Sequence, residues 1–372
     1  MEANDPTIFM RAALELAKKA WGKTHPNPIV GAVIVEDGTI VAKGWHAKAG
    51  EPHAEVRALR DLGRAPADGA TLYITLEPCC TTGKTGACTA AIIESGIKHV
   101  VVGACDPNPS HAGRGLDTLR SAGITVTESI LESECLDLNR IFNHWIVTKE
   151  PFIAAKFATT ATGQFSLDSR DSGARYLTDE AARQDVMRWR SYFPAIAVSA
   201  STLIKDDPAL TIRLEGKGIT ASTRIVLDRS LETLSHMRKA KVFTDAYRDQ
   251  TIVVCAQNAQ GIEDFKNAGI EIWELPEKNG HLDWSAFKAR CASENIYGVY
   301  LETGPRLTRA LIANQAVDFL FHYLAPMNSI GDRVETFDPF EALNALIPNF
   351  QLRDARRTDF DADVLISGHL KQ

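Results

Sequence analysis

His53-Ala54-Glu55, Cys79 and Cys88 are the residues of this chain whose types and spacing point most directly to chemistry. One imidazole and two thiolates, left three-coordinate, make a zinc set with an open fourth position for water. A metal held that way lowers the pKa of its water toward neutrality and so supplies a nucleophile at ordinary pH. Glu55, two residues from a ligand on the same turn, is placed to carry a proton rather than to bind the metal. A purely structural zinc site would want four protein ligands, with Cys80 as the nominal fourth. Adjacent cysteines rarely both reach one tetrahedral ion, and a structural site has no use for Glu55.

Those residues need elements to hold them. The chain has 372 residues, too many for one ordinary core, since single domains cluster near about 100–150 residues. The first 150 residues alternate helix and strand. Helical spacing runs over Ile8–Trp21, and a β-branched run over Ile29–Val35 turns at Glu36-Asp37-Gly38 and returns over Ile40–Trp45. Helix is expected over His53–Leu62, Ala87–Ser95, Leu116–Ala122 and Leu131–Phe142, and strand over Thr71–Leu76, Val100–Val102 and Ile124–Val126. His53 and Glu55 thus open a helix, Cys79 follows a strand, and Cys88 lies in the next helix. Lys149-Glu150-Pro151 marks a boundary. Beyond it, strands are expected over Phe152–Ala158, Ala195–Ser199, Arg224–Leu227, Ile252–Cys255, Ile270–Trp273, Val299–Leu301, Val317–Leu324 and Asp363–Gly368, with helices over Asp179–Arg190, Ile262–Asn267, Ser285–Arg290 and Leu307–Asn314. The pattern is α/β twice over.

Composition narrows the function classes. Forty-one basic against 47 acidic side chains give a net charge of −6 and a pI near 6.0, which argues against a surface built to hold nucleic acid. No run of about 18 apolar residues predicts a membrane span, and the N-terminal stretch does not read as a secretory signal. Seven cysteines, an odd number, fit reduced thiols in the cytoplasm better than a disulfide framework. Cys105, Cys135, Cys255 and Cys291 are expected as small core residues. The Gly-x-Gly-x-x-Gly fingerprint is absent.

His-x-Glu followed by Pro-Cys and a second cysteine is the pattern of zinc nucleobase deaminases, although eight residues here separate Cys79 from Cys88 where two are usual. Thr24-His25-Pro26-Asn27-Pro28, Gly44-Trp45-His46, Pro52-His53-Ala54-Glu55, Leu76-Glu77-Pro78-Cys79, Gly83-Lys84-Thr85 and Asp106-Pro107-Asn108-Pro109 occur in that order. Together they resemble the bifunctional riboflavin-biosynthesis deaminase/reductase family, in which the long cysteine gap is usual. The resemblance implies a cytidine-deaminase-like α/β/α sandwich over 1–149, a zinc-dependent deaminase domain, and a dihydrofolate-reductase-like α/β domain over 150–372 that uses NADPH. It further implies hydrolysis of the 2-amino group of 2,5-diamino-6-ribosylamino-4(3H)-pyrimidinone 5′-phosphate, then reduction of its ribosyl group to ribityl, by a cytoplasmic homo-oligomer. Asn27, His46, Lys84, Asp106 and Asn108 would help bind the deaminase substrate. On the residues alone, Asn27 and Asp106 also suit turns beside prolines, and Lys84 a solvated loop. The family loop commonly reads Cys-Ser-His-x-Gly-Lys/Arg-Thr-Pro-Pro-Cys; here Cys80, Thr81 and Thr82 follow Cys79, so one expected histidine contact is missing and altered affinity is expected.

The reductase motifs are Lys156 and Thr160, Arg183 to Arg190, Thr202 to Arg213, and Glu302-Thr303-Gly304-Pro305-Arg306-Leu307. By resemblance Thr159, Tyr176, Thr202, Asp206, Arg229, Gly304, Pro305, Arg306 and Leu307 are expected at NADPH. Lys156, Ala174, Arg190, Leu210, Arg213 and Glu302 are expected at the reductase substrate. Guanidinium offers a fork to phosphate, and a helix opening at Gly304-Pro305 offers free N–H groups. Arg229 has two equal readings, a partner for the 2′-phosphate of NADPH or a surface arginine. Thr162 and Tyr176 depart from the family, which usually has aspartate and tryptophan there. Those departures motivate an alternative: a zinc deaminase of another base whose C-terminal domain is not catalytic.

Overall fold

Helix α1 (Pro6–Ala17) begins where its sequence can satisfy the free backbone donors of a helix start. Asp5 accepts from Thr7 N at 2.9 Å, and Pro6 fills a first-turn position whose N–H would be unpaired anyway. The structure is a computed structural model that describes residues 5–81, 86–165, 177–328, 332–347 and 351–371. It divides into two units, Met1–Glu150 and Pro151–Gln372.

In the first unit, α1 passes into a 3₁₀ turn at Lys18–Ala20 rather than running on to Trp21. Strands β1 (Gly31–Glu36) and β2 (Thr39–Trp45) form a hairpin whose turn residues Asp37 and Gly38 both have positive φ, 47° and 73°. Then follow α2 (Ala54–Leu62), β3 (Thr71–Leu76), α3 (Cys88–Ser95), β4 (His99–Ala104), α4 (Arg114–Ser121), β5 (Thr125–Thr127), α5 (Glu132–Leu138) and α6 (Arg140–Thr148). The sheet order is β2-β1-β3-β4-β5, with β3, β4 and β5 parallel and β1 antiparallel to both neighbours. The helix expected over Leu131–Phe142 is two helices. Asn139 sits at the break, buried, with its amide accepting from Ile29 N (2.7 Å) and donating to Ile29 O (2.9 Å). That amide satisfies the backbone of a distant segment, and the helix yields to it.

The second unit holds β6 (Phe152–Thr160), α7 (Glu180–Arg190), β7 (Ala195–Ser199), α8 (Ala200–Asp206), β8 (Thr223–Leu227), the single turn α9 (Lys241–Thr244), β9 (Thr251–Ala256), α10 (Ile262–Asn267) and β10 (Glu271–Leu275). A small hairpin, β11 (Glu277–Lys278) and β12 (His281–Leu282), precedes α11 (Trp284–Ser293), β13 (Gly298–Glu302), α12 (Pro305–Ala313), β14 (Phe319–Ala325), α13 (Pro339–Leu346), β15 (Leu352–Asp359) and β16 (Val364–Leu370). Nine strands form one mixed sheet in the order β10-β9-β8-β7-β13-β6-β14-β16-β15, a dihydrofolate-reductase-like arrangement. All pairs are parallel except those that involve β16. Parallel strands covered on both faces read as continuous apolar runs, which is why most were visible in sequence. β15 was not: from Arg353 to Asp359 it is exposed, with no apolar alternation, as suits a charged edge strand. The parallel strands end at one edge of the sheet, and the chain reverses direction around β6, β13 and β7, where α/β sheets open a crevice.

Asp179 caps α7 through Ala182 N (2.8 Å) and also accepts from Ala362 N, while Asp363 accepts from Asp179 N at 2.6 Å. Burial, with Asp179 nearby and Arg183 opposing, pushes the Asp363 carboxyl up to about 6. Folding therefore favours its neutral form, so this group's contribution to stability falls as pH rises from the ordinary carboxylate range to about 6. Asp363→Asn keeps the acceptor and removes the charge. It is expected to raise the unfolding midpoint of the C-terminal unit at pH 7.5 and to give no gain at pH 4, checked by thermal melts at both values.

Candidate active sites

Gly44 sets the distance between β2 and α2. A Cβ there would lie 2.1 Å from Ala54 O and 2.5 Å from Ala58 N, so only glycine lets the helix pack this closely. His53 is the residue before the first turn of α2, in extended backbone, and Gly63 closes the helix with φ 65°. Glu55 lies in that first turn, buried, where a carboxylate is favoured by the helix N-terminus. Cys79 follows β3, and Cys88 opens α3.

These placements bring His53, Cys79 and Cys88 together, with one ligand atom from each lying within 4.8 Å of the others. His53 Nδ1 is 3.2 Å from Cys88 Sγ and 3.6 Å from Cys79 Sγ, and Cys88 N donates to Cys79 Sγ at 3.4 Å. Hydrogen bonding from Cys88 and His53 pulls the Cys79 thiol down to about 4, whereas its bond to Cys79 and burial push Cys88 up. Without a cation only one of the two sulfurs holds a negative charge; a divalent soft-to-borderline metal would let both. Burial raises the Glu55 carboxyl to about 7, and its Oε2 has no hydrogen-bond partner. The donor set and the orphaned oxygen fit zinc. Among the described residues no fourth donor joins the three. Cys80, the nominal fourth, lies instead with its Sγ 3.7 Å from His111 Nδ1.

Asn27 and His46 face one another, Nδ2 to Nε2 at 3.1 Å, and the His46 ring meets the His53 ring edge-on at 5.1 Å. Burial holds the His46 pKa below its usual value, which keeps the imidazole neutral near pH 7. Asp106 and Asn108 form a turn, Asn108 N donating to Asp106 Oδ1 at 2.9 Å. Lys84 lies outside the described residues.

Glu77 was not singled out in the sequence, yet it organises this loop. Its buried carboxylate accepts from Asp106 N (3.0 Å), Gly113 N (3.0 Å), Gly115 N (2.8 Å) and the Cys105 thiol (3.0 Å). Cys105 is therefore an exposed donor to Glu77, not the core residue expected. Gly115 is required by contact: a Cβ would lie 2.2 Å from Pro78 O. A charged residue between Leu76 and Pro78 at a strand end was the available signal. Glu77→Ala is expected to destabilise the N-terminal unit by about 2–3 kcal/mol, since it strands several donors of a buried charge. Calorimetry of the variant checks this.

In the second unit, Lys156 on β6 pairs in register with Glu302 on β13. Arg190 from α7 holds the Glu302 carboxylate with two bonds, Nε to Oε1 at 2.5 Å and Nη2 to Oε2 at 3.0 Å, and its Nη1 donates to Thr211 O at 2.8 Å. Burial opposes the charge on Glu302, but Arg190 and Lys156 more than offset it and keep the carboxyl below its usual pKa. Burial pulls the Lys156 ammonium down, with Glu302 opposing. Arg190, expected at a phosphate, is thus committed to Glu302. Thr159 points away from Lys156, as strand alternation requires, and bonds His322 Nε2 at 2.8 Å in the core. Leu210 is likewise buried, with φ 52°, which leaves its backbone rather than its side chain for any ligand.

Thr202 bonds Ser199, the N-cap of α8, while Asp206 is exposed at the helix end and Arg213 is exposed with a bond to Thr211 Oγ1 at 3.0 Å. Arg229 is paired with Glu277 at 2.8 Å across an exposed surface. Gly304 caps α12 at the edge where β13 ends, and a Cβ there would meet nothing within 4 Å among the described residues. Its extended backbone suits any residue, so the glycine leaves room at the free N–H groups of the first turn, a fit for a phosphate of NADPH. Pro305 begins α12, Arg306 follows in its first turn, and Leu307 packs against the core. Ala174 and Tyr176 lie outside the described residues.

The cytidine and deoxycytidylate deaminase zinc-binding region matches residues 4–104, and the RibD C-terminal domain matches 151–366. The riboflavin biosynthesis protein RibD of Escherichia coli K12 is 36% identical over 97% of this chain and 98% of its own, and that of Actinobacillus pleuropneumoniae 37% identical over 88% and 85%. A solved diaminohydroxyphosphoribosylaminopyrimidine deaminase/5-amino-6-(5-phosphoribosylamino)uracil reductase from Thermotoga maritima superposes with a TM-score of 0.77 at 32% identity over all of both chains, and Acinetobacter baumannii RibD with 0.75 at 31%, again over all of both. With both halves matched by family models and a relative 36% identical over 97% of this sequence, the chain belongs to the RibD family of bifunctional riboflavin-biosynthesis deaminases and reductases.

Proposed function

We propose that the chain hydrolyses the 2-amino group of 2,5-diamino-6-ribosylamino-4(3H)-pyrimidinone 5′-phosphate and then reduces the ribosyl group to ribityl with NADPH. One observation carries the first step: a three-donor nitrogen and sulfur set beside a buried carboxylate whose Oε2 is unpartnered. His53, Cys79 and Cys88 would hold the zinc, which when bound would supply a water acidified to near neutrality. Glu55 takes a proton from the attacking water and delivers it to the departing nitrogen, so ammonia leaves. Asn27 and neutral His46 present polar atoms to the pyrimidine, and Asp106 and Asn108 are assigned to the same substrate from their turn.

For the second step NADPH supplies the hydride. Gly304 and the first turn of α12 take a cofactor phosphate, with Pro305, Arg306, Leu307, Thr202, Asp206, Arg229, Tyr176 and the backbone at Thr159 beside the cofactor. Glu302, fixed by Arg190, accepts a hydrogen bond from a sugar hydroxyl. Lys156 adds a positive charge beside it. Arg213 is the guanidinium left for the substrate phosphate, with Ala174 and Leu210 along the substrate. The deaminase domain is assigned to 1–149 and the reductase domain to 150–372. No helix among the described residues is long and apolar enough to cross a membrane. From the family resemblance alone, we place the protein in the cytoplasm as a homo-oligomer.

Mass spectrometry of the ribotide after incubation with purified protein tests both steps. Deamination adds about 1 Da and reduction about 2 Da more, the latter only with NADPH. The first shift alone leaves a deaminase with an idle second domain; neither shift, in zinc-loaded protein, ends the reading.

A further inference from the structure

The loop between β4 and α4 carries an imidazole that the chemistry above does not use. His111 is 8% exposed, and its Nδ1 lies 3.5 Å from Cys80 N and 3.7 Å from Cys80 Sγ. Cys80 directly follows the metal ligand Cys79, and the segment 79–88 contains no histidine of its own. On its own loop, His111 N donates to Asn108 O at 2.8 Å, and Arg114 N donates to His111 O at 2.8 Å. Asn108 in turn holds Asp106 Oδ1, and Glu77 ties Asp106 N and Gly113 N to the end of β3. Among the described residues, the imidazole therefore joins Cys80 of the ligand loop to the loop that carries the Asp106–Asn108 turn.

We infer that His111 is a positioning residue of the deaminase site. Its Nδ1 accepts the Cys80 N–H, which leaves the ring proton on Nε2. The bond locks the Asp106–Asn108 turn against the ligand loop, so that polar groups from two loops meet the ribotide in one geometry. It contributes to substrate affinity, not to the metal or to proton transfer. The inference rests on the deaminase reading of this site.

Three substitutions test it in the full-length, zinc-loaded protein, with the diaminopyrimidinone ribotide as substrate and ammonia release as readout. His111→Asn keeps an acceptor near the position of Nδ1, His111→Gln moves the amide out to the position of Nε2, and His111→Leu removes both. The expected result is a KM for deamination raised about tenfold in the Leu and Gln variants, with kcat within about twofold and one zinc per chain, and a KM near wild type in the Asn variant. Should the Leu variant not fold, the Asn and Gln pair decides alone. Unchanged KM in the Gln variant overturns the inference. So does loss of zinc, a fall in kcat alone, impairment of the Asn variant with the Gln variant spared, which would assign the effect to Nε2, or equal impairment of the two, which would assign it to the ring as a whole. A wild-type protein that releases no ammonia would overturn the deaminase reading itself, a separate result.

Discussion

Glu55→Gln is expected to lower ammonia release from the ribotide by about 10³–10⁴-fold, the upper range of what a positioned acid–base group contributes. Glutamine has the same shape and stays in the first turn of α2, which is held against β2 by the close approach at Gly44. It can neither take nor return a proton. His53, Cys79 and Cys88 are untouched, so zinc content measured by atomic emission should remain one per chain. Supplying the already deaminated pyrimidine with NADPH should give reduction at the wild-type rate, which separates lost chemistry from lost folding. A variant that keeps more than about a tenth of the activity would show that another group carries the proton, because general acid–base catalysis is seldom worth so little. A variant that loses zinc as well would make Glu55 a support of the metal site, and the orphaned Oε2 would need a different account.

The zinc set was legible because its parts are local. His53 and Glu55 share one helix start, Cys79 leaves a strand, and Cys88 opens the next helix, so spacing and turn signals carry the site. What stayed hidden depends on partners far apart in the chain. Glu77 works through backbone N–H groups of a loop 29 to 38 residues away, and a backbone donor has no signature in sequence. Asn139 breaks a helix for the sake of Ile29, 110 residues distant. Arg190 read as a phosphate ligand because a guanidinium near a nucleotide site invites that reading; its carboxylate partner is 112 residues on. β15 was invisible because an exposed edge strand has no apolar alternation to reveal it. The parallel strands of the second unit, buried on both faces, announced themselves by composition alone.

The Arg190–Glu302 pair gives the second large effect. Both side chains are mostly buried, at 9% and 16% side-chain exposure, and all three guanidinium nitrogens of Arg190 have partners. Arg190→Met leaves a carboxylate buried beside Lys156 alone. Breaking such a pair from one side typically costs about 3–5 kcal/mol, so the C-terminal unit should melt at a visibly lower temperature. Reduction should fall about a hundredfold, since Glu302 is no longer fixed and small misplacements carry penalties of that order. The substrate phosphate separates this role from direct binding. If Arg190 acts by holding Glu302, the variant loses the same factor on the ribotide and on its dephosphorylated form. If it binds the phosphate, the loss is confined to the phosphorylated substrate, and the assignment to Glu302 falls. Adding Glu302→Gln to Arg190→Met should restore much of the lost stability, because the uncompensated charge is gone, yet restore none of the reduction, because the carboxylate that meets the sugar is gone with it.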